Sequence, residues 1–358
     1  MPVMSIQFEK ASGAGKGVYG AMGEIMLRLA APGFEKFFQS PELKATFGGG
    51  ESNVMASLAS LGLQSRFISA LPDNAIGTAA LRTLRGFNVD VSPVVIKKNS
   101  RMGLYFLEKG ANQRPSSVIY DRADSALCSL KSDEIDWKAA MEGVSWFHIT
   151  GITPALSETA SALSFKAVEE AKKQGAIVSI DLNFRAKLWN YGKDAKDVMP
   201  KLATMADVII ANEEDVQKSL GIGTDLDPAH GEIVRGRYEE LAGIVFQHFA
   251  DLSLLAVTLR ESVSASYNRW SACLSNGNET VFSNTYDITD IVDRVGGGDS
   301  FAAGLIYGLS HFSDGEEALN FAVAASCLNH SIEGDVNLSS LDDIMKLYKG
   351  DASGRISR

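Results

Sequence analysis

From residue 144 onward, short continuous apolar runs alternate with longer stretches whose apolar positions recur every three to four residues. The runs at 144–149, 176–180, 208–210 and 254–259 predict strands, and the stretches at 157–174 and 195–205 predict helices, the first stopped by Gly175. Continuous apolar strands alternating with helices imply a parallel sheet covered on both faces, an α/β fold. The earlier chain has the same grammar. Residues 18–29 predict a first strand interrupted at Gly23 and Glu24, residues 54–61 a helix, and residues 63–71 and 89–96 strands on either side of a helix at 77–85. A glycine such as Gly23 is tolerated inside a strand where another group approaches the backbone closely.

Residues 102–107 and 117–120 break this rhythm, because they read as two strands around the polar loop 109–116 with no helix between them. A hairpin cannot join a parallel sheet by a helical crossover, so a small accessory sheet acting as a lid is expected over about 28–47 and 92–125. Residues 340–348 predict a capped last helix. The expected organisation is a flexible leader at 1–17, one domain at 18–347 and a polar tail at 348–358.

In open parallel sheets the ligand lies beyond the carboxyl ends of the strands. Polar residues cluster there: Thr150 and Gly151, then Asp181, Asn183 and Arg185, then Asn212 with Glu213, Glu214 and Asp215, then Thr258 and Arg260. Two glycine turns open helices. Gly48, Gly49 and Gly50 lead through Glu51 to Asn53, and Gly296, Gly297 and Gly298 lead to Asp299 and a helical apolar pattern of Phe301, Leu305, Ile306 and Leu309. Such turns aim backbone N–H groups into one small volume in front of the positive helix end and suit an anion such as phosphate. Asp299 is either a helix cap or a base for phosphoryl transfer, and Asn53 either bonds a polyol hydroxyl or closes its turn.

Composition narrows the field by exclusion. The 358 residues carry a net charge of −10, which opposes a nucleic acid or acidic membrane as a general partner. Cys128, Cys273 and Cys327 show no Cys-x-x-Cys spacing, so neither a zinc site nor a disulfide framework is indicated. No apolar run approaches the length of a membrane span, and a soluble cytoplasmic protein is expected. Lys16 is followed by Gly17 rather than Ser or Thr, so the glycine-rich leader is no Walker loop. A nicotinamide site is disfavoured because no Gly-x-Gly-x-x-Gly follows the first strand.

The turn at 48–53 taken with the stretch 293–299 resembles the ribokinase-like, or PfkB, family of sugar kinases, in order and spacing over residues 18–347. The resemblance implies a ribokinase-like three-layer α/β/α sandwich with a mostly parallel sheet and a small β-sheet lid, and a kinase using ATP and Mg²⁺. Within the family, residues 23–29, Pro32 to Phe34, Gly103 to Tyr105, Tyr120 to Arg122, residues 181–189 and 211–215 look like kinases of 2-keto-3-deoxygluconate. Asp299 then becomes the catalytic base, with Gly296, Gly297 and Gly298 holding the developing anion. Substrate contacts are implied for Glu24, Gly49, Gly50, Asn53, Tyr105, Tyr120, Arg122, Asn183 and Arg185, the two arginines serving the substrate carboxylate unless each is spent on a salt bridge. The two tyrosines either line that pocket or pack on one another. ATP contacts are implied for Asn212, Thr258, Arg260, Gly296, Gly298 and Asn329. Asp215 and Glu214 are the implied Mg²⁺ residues, acting through water, and Asp293 stands at the place of a ligand for a monovalent cation such as K⁺. A dimer through the lid sheet is expected. The rival readings are a PfkB-type kinase for fructose or another neutral sugar, and a non-catalytic sugar or nucleotide sensor on the same fold.

Overall fold

The computed structural model describes residues 6–11, 14–223 and 235–351. Its strands are β1 (Val18–Met22), β2 (Met26–Ala30), β3 (Lys44–Gly48), β4 (Ser65–Ile68), β5 (Ala70–Pro72), β6 (Val95–Lys97), β7 (Leu104–Glu108) and β8 (Ser117–Asp121), then β9 (Val144–Thr150), β10 (Ile177–Asp181), β11 (Val208–Ala211), β12 (Leu254–Ser262), β13 (Asn268–Ser275), β14 (Thr280–Phe282) and β15 (Tyr286–Ile288). The helices are α1 (Gly50–Ser60), α2 (Ala75–Gly86), α3 (Trp137–Met141), α4 (Glu158–Lys173), α5 (Ala195–Ala203), α6 (Glu213–Leu220), α7 (Arg235–His248), α8 (Gly297–His311), α9 (Gly315–Asn329) and α10 (Leu341–Tyr348).

The main sheet runs β14-β13-β12-β11-β10-β9-β1-β4, with β15 also on β13. Pairing is parallel from β4 to β12, while β13 turns back antiparallel on β12. Each strand feeds both faces, as period-two geometry demands. Val208 and Ile210 enter the apolar core under α1, α2, α8, α9 and α10, whereas Ile209 enters the one under α3 to α7. The three-layer sandwich with its mostly parallel sheet is therefore as expected. Residues 268–288 were not read as strands, and they form the antiparallel edge.

Two single strands expected from the apolar pattern are each two. The first breaks after Met22, so that β1 lies in the main sheet and β2 in the lid sheet, ordered β3-β2-β7-β8. Gly23 sits at the break because a Cβ there would lie 2.1 Å from the Glu51 carboxylate, the close approach its sequence position suggested. The strand expected at 63–71 breaks at Ser69, and β5 pairs with β6 in a separate two-stranded sheet. The lid hairpin β7–β8 is antiparallel as expected, Tyr105 opposite Tyr120.

The described part of the segment expected to be a flexible leader is packed instead. Ile6 is fully buried in the α8–α9 core, Phe8 meets Trp146 edge-on, and Lys10 donates to Asp207 at 2.8 Å. Apolar residues and a paired charge hold this segment down, a signal the glycines around it obscured. Residues 1–5, 12–13 and most of the tail lie outside the described residues. No helix among the described residues is long and apolar enough to cross a membrane.

Candidate active site

A cleft of about 670 Å³ opens between the lid sheet and the carboxyl ends of β10, β11 and β12, where a parallel sheet places its ligand. The structure brings Glu24, Gly49, Gly50, Asn53, Tyr105, Tyr120, Arg122, Asn183, Arg185, Asn212, Glu214, Asp215, Thr258, Arg260 and Gly296 to Asp299 to its wall. Asn329 and Asp293 are not on that wall.

Gly296 caps α8 in the left-handed conformation, φ 80°, and a Cβ there would lie 1.9 Å from the Asp335 carbonyl oxygen. Only glycine fits. Asp299 is the third residue of α8, not its cap, and the helix start has no side-chain cap of its own. Its carboxylate faces the cleft and accepts from Asn53 Nδ2 at 2.7 Å. Burial pushes its pKa up to about 7, the Asn53 bond opposes the rise, and the charges of Asp335 and Glu51 add to it. A helix start alone favours the ionised carboxylate, but burial outweighs it here. The carboxylate is poised near neutrality, which makes it a stronger base than a solvated aspartate.

Asn53 resolves in an unexpected way. Its Oδ1 accepts from Gly49 N at 3.1 Å, closing the turn, and its Nδ2 is given to Asp299. The side chain thus closes its turn, one of the two roles expected of it, and also orients the candidate base from the cleft wall. Gly49 is needed because a Cβ would lie 1.9 Å from the Glu24 carbonyl oxygen.

The two arginines separate. Arg122 is buried on the lid and bonds Glu24 Oε2 through both Nε at 2.7 Å and Nη2 at 2.5 Å, while its guanidinium lies over the Tyr120 ring. Its charge is met by Glu24, the salt-bridge alternative for this arginine, while the residue stays on the cleft wall. Glu24 Oε1 is left with no protein partner. Arg185 makes no ion pair among the described residues and donates only to its neighbour's carbonyl, that of Phe184, at 2.8 Å. Tyr105 gives its hydroxyl to Asp335 Oδ2 and its ring tilts against that of Tyr120 at 6.2 Å. Both tyrosines line the cleft and also pack on each other.

Acidic groups concentrate at the strand ends. Asp181 has its pKa raised well above the usual carboxylate range by burial and by the charges of Asp215 and Asp299. Asn183, held at φ 35°, donates its N–H to Asp181 Oδ1 at 3.1 Å. Asp215, expected at the metal, has both oxygens committed to backbone: Phe184 N at 2.8 Å and Asn212 N at 3.1 Å. Asn212 Oδ1 accepts from Asp215 N in return, a reciprocal capping box. No group of three His, Cys, Asp or Glu among the described residues forms a metal cage. The chemistry of Asp181, Asp215 and exposed Glu214 nonetheless suits a divalent cation held mainly by phosphate and water, since it would relieve their mutual repulsion.

Thr258 lines the cleft, and its Oγ1 makes a long 3.4 Å bond to the Ala211 carbonyl. Arg260 reaches the cleft without an ion pair among the described residues. Asn329, expected in the nucleotide site, is fully buried on the inner side of α9 and donates to the Val295 carbonyl at 3.2 Å, beneath the glycine turn. Asp293 is buried and ion-paired with Arg28, so its charge is already satisfied where a monovalent cation was expected.

Asp181, Glu51, Arg294 and Asp335 also line the cleft and were not assigned roles. Glu51 accepts from Thr150 N, Thr150 Oγ1 and Thr153 Oγ1, pinning α1 to the end of β9. Arg294 anchors the β12–β13 turn through the Ser264 and Ala265 carbonyls, and that turn meets the lid tip where Ala265 N donates to Asn112 O at 2.6 Å. Glu51 and Arg294 lie inside the two glycine motifs and were findable there. Asp335 carries no local signal.

A nucleotide-sized cleft, an anion-suited glycine turn and a poised carboxylate on this fold define a small-molecule phosphotransferase. The profile of the pfkB family carbohydrate kinases matches residues 18–340, and the chain belongs to that family. It is similar to the crystal structure of 2-dehydro-3-deoxygluconokinase from Thermotoga maritima, with 42% identity, a TM-score of 0.87, and coverage of 93% of this chain and 100% of that one. It is 31% identical to a 2-dehydro-3-deoxygalactonokinase of Haloferax volcanii over 93% of this chain and 96% of that protein. A putative ribokinase II from E. coli, in complex with ATP and Mg²⁺, shares the fold at 19% identity and a TM-score of 0.76, covering 93% of this chain and 99% of that one.

Proposed function

We propose that this carbohydrate kinase transfers the γ-phosphoryl group of ATP to the primary hydroxyl of 2-keto-3-deoxygluconate or an epimer of it, giving the 6-phosphate. The observation that carries the mechanism is Asp299, held by Asn53 beside the start of α8 with a pKa near 7. In this reading Asp299 accepts the proton of the attacking hydroxyl. The N–H groups of Gly296, Gly297 and Gly298 and the Arg260 guanidinium face the phosphates, and their dipoles and charge favour the spreading negative charge of a loose transition state. Mg²⁺ bound with ATP offsets phosphate charge, and Asp181, Asp215 and Glu214 would hold it, chiefly through water. Arg185 takes the substrate carboxylate, and the unpartnered Glu24 Oε1 accepts a substrate hydroxyl. A monovalent cation has no part in this reading.

A second reading, a kinase for a neutral sugar, is favoured by one observation: Glu24 neutralises Arg122 and leaves Arg185 as the one unpaired arginine on the substrate side among the described residues. A coupled assay of ADP release with ATP and Mg²⁺ across keto-deoxy acids, gluconate, fructose and ribose separates the two. Preference for the keto-deoxy acids supports the first, and equal or better use of fructose supports the second.

Two features extend the reading to its setting. The outer lid face, where Phe106 pairs in register with the 54% exposed Ile119, is the surface through which a second copy would pair. Sedimentation of Ile119→Asp as a monomer beside a dimeric parent is the check. Three free cysteines and the use of ATP fit a cytoplasmic location.

A further inference from the structure

A buried charge cluster outside the reacting groups lies behind the glycine turn. Arg28, on lid strand β2, is 1% exposed, and its guanidinium sits between two carboxylates. Nη1 donates to Asp335 Oδ1 at 2.5 Å, and Nη2 donates to Asp293 Oδ2. Burial disfavours the guanidinium charge, but Asp335 and Asp293 more than offset that and hold its pKa raised. A charge this deep persists only because it is paired, and nothing in the phosphoryl transfer uses it.

Both carboxylates brace the turn. Asp293 Oδ1 accepts from Val295 N at 3.1 Å and Oδ2 from Gly334 N at 3.3 Å, so the residue opens the loop that ends in Gly296. Asp335 presses its carbonyl against Gly296 and its side chain against Gly48, where a Cβ would lie 2.1 Å away. Its Oδ2 also accepts the Tyr105 hydroxyl from β7. Arg28 on β2 is therefore tied to the loop before α8 through Asp293 and to the loop after α9 through Asp335, and Asp335 also receives β7 through Tyr105.

We infer that Arg28 is a positioning residue, which fixes the N–H groups of Gly296 to Gly298 relative to the lid and so couples lid placement to the anion-holding geometry. This rests on the proposed role of the glycine turn. A displacement of about 1 Å at such donors costs on the order of 10²-fold in rate, so the effect falls on turnover.

The test is steady-state kinetics of Arg28→Ala, Arg28→Lys and Asp335→Asn, with the folded fraction of each checked by thermal melting. Arg28→Ala is expected to lose about 10²-fold in kcat with the KM for ATP changed by less than about threefold, and free guanidinium ion is expected to restore about tenfold in that variant alone. Arg28→Lys should recover part of kcat, because it returns the charge without the bidentate fork. An arginine that serves only stability would lower the melting temperature while leaving kcat per folded molecule intact, with no response to guanidinium. Should Arg28→Ala fail to fold, Asp335→Asn carries the test, since it keeps the Arg28 pair with Asp293 and is expected to lose about tenfold in kcat. Turnover within about threefold of the parent in the folded variants overturns the inference. Asp299→Asn measured alongside keeps the two ideas apart: normal turnover there defeats the site reading itself, whereas an inactive Asp299→Asn with normal Arg28 and Asp335 variants defeats only this inference.

Discussion

Two helices begin on the same cleft, and each carries an aspartate as its third residue. In α6, Asp215 spends both oxygens on backbone N–H groups and receives a side-chain cap from Asn212 in exchange. In α8, the cap position is Gly296, the first turn has no side-chain cap, and Asp299 has one side-chain donor, Asn53. Both carboxyl pKa values are raised, burial being the largest cause in each, but only Asp299 keeps an oxygen turned toward the cleft without a backbone partner. The contrast teaches that position in a helix does not assign a carboxylate its role. What decides is whether an oxygen is left facing the cleft without a backbone partner.

The comparison breaks most visibly at Asp299. Asp299→Asn should leave the fold intact and lower kcat by ~10²–10⁴-fold, about 3–5 kcal/mol of barrier, and near-normal turnover would remove Asp299 as the base. Arg185→Ala comes next. An unpaired substrate carboxylate costs roughly 2–5 kcal/mol, so kcat/KM for the sugar acid should fall far more than for a neutral sugar, and equal losses would make Arg185 structural.

The pH dependence sharpens the same contrast. Since the base must be deprotonated, kcat should fall about tenfold per pH unit below about 7. Asn53→Ala removes the bond that lowers the Asp299 pKa, and its acid limb should move to higher pH; an unmoved limb would assign the titration elsewhere. Stability carries the opposite sign. A carboxylate raised in the folded state contributes stability below its unfolded value near 3.8 and loses it as pH rises through about 7, so Asp299→Asn should melt higher than the parent above that pH. The smallest effect belongs to the other helix. Asn212→Ala should cost about 1 kcal/mol of stability, read by denaturant melting, with modest change in kcat.

Much of this was legible in the chain. Continuous apolar runs with helical stretches between them gave away the layered sheet, because burial on both faces leaves no room for polar alternation. The lid hairpin was legible because two strands without a helix cannot be parallel neighbours in one sheet. Glu51 and Arg294 lie inside the two glycine motifs, beside the glycines and carboxamide or carboxylate that carry the signal there. Other roles were out of reach. The split of residues 18–29 between two sheets depends on Glu51 approaching Gly23, and the packing of Ile6 depends on α8 and α9 being beside it.

The sequence by itself determined the alternation of buried strands and helices and the polar residues at the strand ends, which follow from local periodicity, while the motifs at 48–53 and 293–299 carry the family resemblance. Only the tertiary structure decided which of those groups are free. Arg122 is matched by Glu24, Asp215 by two backbone amides and Asp293 by Arg28, while Arg185 and Asp299 remain turned to the cleft. The partners come from segments up to hundreds of residues apart, and an ion pair or hydrogen bond reads distance in space, to which separation in sequence gives no key.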